Sequence, residues 1–406
     1  MSAPIVIVGA GQAAASLASR HIALGNPQPL LLIGDEATPP YQRPPLSKKY
    51  LLGSLERERL FIRPVEWYAE HDIETRFKTR VNAINRARKQ VTTDDGQTID
   101  YDKLVLCTGS RARNIPASIG GDLNGVYRLR DIDDIDRMAP RFSAGRQLLI
   151  IGGGYIGLEA AAAARTLGLE VTLIEMAERI MQRVAAPATA DYFRELHRSH
   201  GVDLRESISI TRLLEKNGQV CGAELESGEQ IDADLALIGI GGSPNTELAE
   251  AAGLDCNNGI CIDLHCRTSD PEIYAAGDCT NFAYQGRNIR LESVQNAADQ
   301  GDLIARILSG EDLCYHPLPW FWSDQYDCKL QIVGLNQGYT HTVQRTGSSP
   351  HSQSVWYYAE DRLLAIDAIN EPKSYAFGRM IIDKGKHPAP EVVADPDTDL
   401  KAIAKG

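Results

Sequence analysis

Short, almost wholly apolar runs recur through most of the chain: Ile5-Val6-Ile7-Val8, Leu30-Leu31-Leu32-Ile33, and residues 104–107, 148–151, 171–174 (interrupted only by Thr172), 236–240 and 273–276. A run that is apolar at every position predicts a strand buried on both faces, as in a parallel sheet covered by helices. Between the runs lie stretches with helical periodicity, and one such stretch is predicted around residues 65–71. Residues 91–93 and 99–101 flank Asp94-Asp95-Gly96 and predict a hairpin. From about Pro317 the pattern changes to strands with alternating polarity, at 330–335, 340–345 and 355–358. The last of these pairs with 363–366 across Glu360-Asp361, and a helix follows near 374–384. Residues 1–110 and 241–316 are expected to form one discontinuous domain. Residues 111–240 form a second domain inserted into it, and 317–406 a third, β-rich one. The tail after Pro388 is acidic and proline-bearing and is expected to fray.

Two of the buried strands run into the same glycine turn. Gly9-Ala10-Gly11-Gln12-Ala13-Ala14 follows the first strand, and Gly152-Gly153-Gly154-Tyr155-Ile156-Gly157 follows the run at 148–151. The first glycine makes the tight turn, the second admits a pyrophosphate, and the third small residue lets the helix pack on the strand. The pyrophosphate then meets free N–H groups and the positive end of a helix dipole. An acidic residue closes the next strand in each unit, Asp35 and Glu175, placed to accept hydrogen bonds from a ribose. One such turn is a weak signal. Two in full strand–turn–helix–strand context imply two dinucleotides on one chain, with electrons passing between them.

Composition narrows the class. The 406 residues are 43% apolar and 24% charged with a net charge of −12, as in a soluble globular protein and unlike a nucleic-acid binder. The first strand begins within a few residues of Met1, which leaves no room for a signal or transit peptide, and no run reads as a membrane span. A cytoplasmic location is therefore expected. Eight cysteines include no CxxC pair. Cys256, Cys261 and Cys266 recur every five residues, a period that fits no common zinc spacing, so buried thiols are expected and no metal. No cysteine precedes Leu106's strand, where flavoprotein disulfide reductases carry their redox pair; that stretch reads Pro40-Tyr41-Gln42-Arg43-Pro44-Pro45-Leu46-Ser47-Lys48.

Taken with the two turns, several segments carry a resemblance. They are Arg43-Pro44-Pro45-Leu46-Ser47-Lys48, Thr108-Gly109, residues 152–159, Gly277-Asp278-Cys279, Glu292-Ser293-Val294 and Pro319-Trp320-Phe321-Trp322-Ser323-Asp324-Gln325-Tyr326. With them the chain resembles the FAD- and NADH-dependent ferredoxin reductases of bacterial oxygenase systems, the putidaredoxin reductase-like group. Cys107 stands where alanine is usual, and Ala14 replaces the third glycine. The resemblance implies an α/β, glutathione-reductase-like fold: two Rossmann-like dinucleotide-binding domains plus a C-terminal α+β domain. It implies an enzyme passing electrons from NADH through FAD, one at a time, to a [2Fe–2S] ferredoxin that supplies an oxygenase. A rubredoxin reductase, and a flavoprotein resembling apoptosis-inducing factor that acts by association, are the alternatives.

Site residues follow from the same resemblance. FAD takes the first unit, with Gly9, Gly11, Ala13, Ala14 and Asp35 at the pyrophosphate and ribose, Val81 at the adenine and Arg130 at the phosphates. Asp278 holds the ribityl chain and Val294 donates its N–H to the ring. Arg43, Lys48, Thr108, Gly109, Glu292, Ser293 and Trp320 complete that set. NADH takes the second unit, with Gly152, Gly154, Tyr155, Ile156, Gly157, Glu175, Arg183 and Gly241. The resemblance implies that Lys48, paired with Glu159, supplies a cation at the flavin's hydride-accepting edge, although on residue type alone a surface lysine is the stronger reading. Trp322 is expected at that edge, with Trp320 sharing its side of the strand and Phe321 on the other. The ferredoxin is expected to be acidic and the enzyme a monomer or weak dimer. Lys373, Arg379, Lys384 and Lys386, with Arg287 and Arg290, would form a basic docking patch against the single acid Asp383.

Overall fold

The structure is a computed structural model that describes residues 3–406. The chain divides into two compact units. One comprises the residues up to Arg43, Leu55–Arg111 and Gly242–Pro317; the other comprises Pro44–Ser54, Ala112–Gly241 and Leu318–Gly406.

The first unit is built on a five-stranded sheet in the order Ile273–Ala275, Lys103–Leu106, Ile5–Val8, Leu30–Ile33, Glu74–Arg76, with every pair parallel. Its central strands are buried at every position, as their unbroken apolar runs require. Helix Gln12–Ala23 follows the first strand and packs along helix Val294–Leu308. The two helices approach so closely that a Cβ on Gly301 would lie 2.2 Å from the Ala13 carbonyl oxygen. The expected hairpin is present, with Gln90–Thr93 antiparallel to Thr98–Asp100 and Gly96 at φ +82° in the turn. Of the three evenly spaced cysteines only Cys266 is buried; Cys256 and Cys261 are half-buried, Cys261 on the edge strand Ile260–Ile262 of a small sheet. All eight cysteines are free.

The second unit repeats the parallel design in the order Asp203–Glu206, Glu170–Glu175, Gln147–Ile151, Leu235–Ile238, Val126–Tyr127. One face is covered by the antiparallel sheet Ile210–Lys216, Gln219–Leu225 and Gln230–Asp232, through Leu213, Val220 and Leu225 against Leu149 and Ile174. Its C-terminal part is a five-stranded antiparallel sheet in the order Trp320–Gln325, Cys328–Gly334, Arg362–Ile369, Gln353–Ala359, His341–Thr346, with helix Pro372–Asp383 packed on it. No helix among the described residues is long and apolar enough to cross a membrane.

The tail departs from expectation. It forms helices Pro390–Ala394 and Leu400–Lys405, and Val393, Leu400 and Ala404 sit in the core. Arg345, 8% exposed, donates to four of its carbonyls: those of Val393, Asp395, Pro396 and Thr398. Composition alone suggested fraying. A buried guanidinium that needs acceptors ties the segment down instead.

The C-terminal sheet is joined to helix Pro187–Ser199 by a second buried group. Thr189 Oγ1 donates to Asp367 Oδ2 at 2.8 Å, and the Tyr357 hydroxyl donates to the same oxygen. Asp367 is 1% exposed, and burial pushes its carboxyl up to about 6. A carboxyl whose folded value lies above its unfolded one stabilises fully below pH 3.8 and loses that contribution as pH rises through about 6. Asp367→Asn should therefore gain stability relative to wild type between pH 4 and 7, by up to roughly 3 kcal/mol. Thermal unfolding of both proteins across that range tests this, and a pH-independent difference would refute it.

Candidate active site

The first glycine turn is shaped by what surrounds it. Gly9 has φ +106°, and a Cβ there would lie 2.1 Å from the Cys107 carbonyl oxygen. The neighbouring strand's backbone thus excludes any side chain at Gly9, whereas the Cys107 side chain itself is buried. A Cβ on Gly11 would meet nothing within 4 Å. Gly11 caps helix Gln12–Ala23 without a side-chain hydrogen bond, and no acid lies in the first turn. An open cradle facing uncapped N–H groups fits a dinucleotide pyrophosphate.

Around this turn the expected residues occupy defined positions. Asp35 is exposed beyond the second strand. Its neighbour Glu36 accepts from the Arg43 guanidinium and, at 2.5 Å, from the Tyr41 hydroxyl, with Arg43 Cζ 4.9 Å above the Tyr41 ring. Arg43 is thereby aimed by Glu36 and Tyr41, to which the sequence assigns no role. Thr108 and Asn245 are clasped by reciprocal hydrogen bonds, Oγ1 to O at 2.7 Å and Nδ2 to O at 2.8 Å. Gly277, at φ +87°, lies behind Ala13 and presents Asp278, whose Oδ2 accepts from Ser110 Oγ at 3.1 Å. Ser293 caps helix Val294–Leu308 by accepting from the Asn296 N–H, so Val294 opens a helix whose first N–H groups have no intrahelical acceptor. Val81 is buried at the start of strand Val81–Asn85.

In the second unit the constraints repeat more tightly. Gly152 has φ +113°, and a Cβ there would lie 2.4 Å from the Gly239 carbonyl oxygen. Gly157 must also be glycine, since its Cβ would lie 2.1 Å from the Gly152 oxygen. Gly154 is open and uncapped, like Gly11. The Glu175 carboxylate is pinned beside the turn, accepting from the Gly153 N–H at 2.7 Å and the Ala177 N–H at 2.8 Å. Met176, which follows Glu175, and Ile156, at the start of the helix after the turn, stand 75% and 44% exposed as large apolar groups. Arg183 reaches to 3.6 Å from the position of a Cβ on Gly241. Arg130 precedes helix Ile132–Met138 and donates its backbone N–H to Asp134.

A third group of residues gathers around Glu159. The 3-10 turn Pro44–Ser47 places Lys48 Nζ 2.7 Å from Glu159 Oε2. Ser47 Oγ donates to the same oxygen at 2.6 Å, and Ser323 Oγ to Oε1 at 2.7 Å. Glu159 is 6% exposed within an alanine-rich helix. A carboxylate buried there is stable only when paired and hydrogen-bonded, and each of its oxygens meets at least one of these donors. In sequence the two serines are marked only by adjacency, Ser47 to Lys48 and Ser323 to Trp322. Trp320 and Trp322 stack at 5.6 Å on one side of their strand, with Arg379 Cζ 5.7 Å over Trp320. Phe321 packs on Tyr155 at 4.9 Å on the other side.

The basic patch needs revision. Arg290 is locked to Glu292, its side chain 13% exposed, because a guanidinium beside a carboxylate closes on it. Lys384 and Lys386 donate to the carbonyls of Ala404 and Ile403 at 2.8 Å each and so fasten the last helix. Lys373 and Arg379 remain exposed.

Comparison with known proteins agrees with this geometry. Residues 3–301 match the family described as pyridine nucleotide-disulphide oxidoreductase, and residues 320–404 match the reductase C-terminal family. Putidaredoxin reductase CamA of Pseudomonas putida is 40% identical over 98% of this chain and 96% of its own. Rhodocoxin reductase of Rhodococcus erythropolis is 39% identical over 99% and 94% respectively. The solved covalent complex of putidaredoxin reductase with putidaredoxin superposes with a TM-score of 0.96 at 40% identity, covering 99% of this chain and 98% of the other. The chain belongs to the pyridine nucleotide-disulphide oxidoreductase family, and it carries that family's two dinucleotide turns together with a reductase C-terminal domain.

Proposed function

We propose that this enzyme draws two electrons from NADH and delivers them singly, by way of FAD, to an acidic [2Fe–2S] ferredoxin serving an oxygenase. The observation that carries the reading is the buried Lys48–Glu159 pair in a segment with no redox cysteine. FAD, when bound, accepts hydride and releases electrons one at a time, which suits a one-electron iron–sulfur carrier. Disulfide chemistry lacks its parts: desolvation pushes thiols up, the half-buried Cys256 to about 11 and the buried Cys328 to about 12. Residues 1–110 and 241–316 hold FAD, 111–240 hold NADH, and 317–406 bring the tryptophans, with the enzyme a cytoplasmic monomer or weak dimer. Gly11, Ala13 and Asp278 hold the FAD phosphates and ribityl chain, and Lys48 provides the cation at the flavin edge. A rubredoxin partner is the second reading, since Rubredoxin-NAD(+) reductase of Pseudomonas putida is 37% identical over 91% of this chain.

Cytochrome c reduction with NADH and either a [2Fe–2S] ferredoxin or a rubredoxin as carrier decides between them. Turnover through the ferredoxin should be faster and should fall as salt rises, while flavin reduction by NADH barely changes. Lys373→Gln with Arg379→Gln should raise the ferredoxin concentration giving half-maximal rate. Preference for rubredoxin, or salt-insensitive turnover, would discard the acidic-ferredoxin reading.

NADH should be preferred over NADPH. Glu175 is held by two backbone N–H groups and cannot swing away, so a 2′-phosphate about 4 Å distant would be repelled by roughly 4 kcal/mol. Equal kcat/KM for the two nucleotides would refute this.

Lys48→Ala should retain FAD yet slow hydride transfer about tenfold, equivalent to about 1.4 kcal/mol of barrier, and lower the flavin potential. Stopped-flow reduction and a redox titration read both; wild-type values in both would leave Lys48 without a role in the reaction.

A further inference from the structure

The hydrogen bonds behind Glu159 continue past Ser323. Strand Trp320–Gln325 directs Phe321, Ser323 and Gln325 to one face. Gln325 Nε2 donates to Ser323 Oγ at 3.2 Å, and Gln325 Oε1 lies 2.7 Å from His197 Nε2 on helix Pro187–Ser199. His197 Nδ1 lies 3.4 Å from the Tyr326 hydroxyl, and the Tyr326 ring stacks at 3.7 Å on His200 at the surface. Ser323 and His197 are fully buried and Gln325 is 1% exposed.

One arrangement of protons satisfies the whole series. The Glu159 carboxylate can only accept, so the single Ser323 proton goes to it. Ser323 Oγ is then left to accept from the Gln325 amide, whose oxygen must in turn accept from His197 Nε2–H. Burial holds His197 down at about 4, so the ring is neutral and Nδ1 accepts from Tyr326. Rotating the amide would set its oxygen against the Ser323 oxygen, two acceptors with no proton between them, a cost no neighbour offsets in a buried network. Every donor therefore points the same way, from the surface inward to Glu159.

We propose that His197 and Gln325 are positioning residues that hold the Glu159 carboxylate aimed at Lys48 Nζ. The neutral imidazole fixes the amide, the amide fixes the Ser323 hydroxyl, and that hydroxyl satisfies the oxygen of Glu159 that Lys48 leaves free. The proposal rests on Lys48 acting as the cation at the flavin edge, and it adds that the cation is set in place from the far side of Glu159, through groups that touch neither nucleotide.

Gln325→Glu keeps the shape of the side chain but turns the inward donor into an acceptor, so Ser323 donates away from Glu159. His197→Leu removes the outer donor, whereas His197→Gln keeps an N–H near the position of Nε2. The FAD-loaded wild type and variants are compared by histidine ¹⁵N NMR, flavin redox titration and stopped-flow reduction by NADH. In wild type at neutral pH, His197 should be neutral and protonated at Nε2. In Gln325→Glu it should become charged, the flavin potential should move in the direction seen for Lys48→Ala, and hydride transfer should slow about fivefold with NADH affinity within about twofold of wild type. His197→Leu should share the potential shift, and His197→Gln should restore wild-type values. If Lys48→Ala leaves the potential and rate unchanged, the reading of Lys48 fails, while the NMR still reports the direction of the chain. If Lys48→Ala moves them and folded Gln325→Glu and His197→Leu do not, the positioning role is overturned. An Nδ1-protonated or charged His197 in the wild type overturns it without any variant.

Discussion

A single carboxylate inside an apolar helix organises the second unit. Glu159 sits among buried alanines, where an unpaired charge would cost several kcal/mol. Its donors come from stretches far apart in the chain: Ser47 and Lys48 from one, Ser323 from another. That demand explains why Pro44–Ser54 packs with the second unit although the residues on either side belong to the first. The rigid Pro-Pro turn limits the freedom Lys48 loses on reaching Glu159, so the ion pair forms at low entropic cost.

The two dinucleotide turns answer one requirement under different constraints. In both, the first glycine lies against a neighbouring strand's carbonyl and the second faces open space. They part at the third small position. Gly157 lies so near the Gly152 oxygen that even a methyl group would collide, whereas the first turn accommodates the buried Ala14. The first helix gains its close approach elsewhere, where Gly301 lets a second helix pack against Ala13. Glycine is thus spent where backbone meets backbone, and position in the motif follows from that contact.

Burial of charge governs the C-terminal part as well. Arg345 collects four carbonyls of a segment whose composition suggests disorder, and Lys384 and Lys386 close the end of its last helix. These lysines look like free surface charge when counted along the chain. Their ammonium groups are instead committed to the orphan carbonyls of a helix terminus, as expected for cations at that end of the dipole.

Much of the architecture was legible in the amino-acid order because it is local. Unbroken apolar runs mark the doubly buried strands, the glycine turns mark the pyrophosphate cradles, and Asp35 and Glu175 mark strand ends; each depends on neighbours within one strand–turn–helix unit. The Lys48–Glu159 pair was reached through resemblance rather than spacing, since nothing within either segment points to the other. The serines on Glu159 and the tail held by Arg345 were decided by tertiary structure. A polar side chain's partner is set by which donors and acceptors folding leaves buried together, and that pairing spans separations over which sequence periodicity carries no signal.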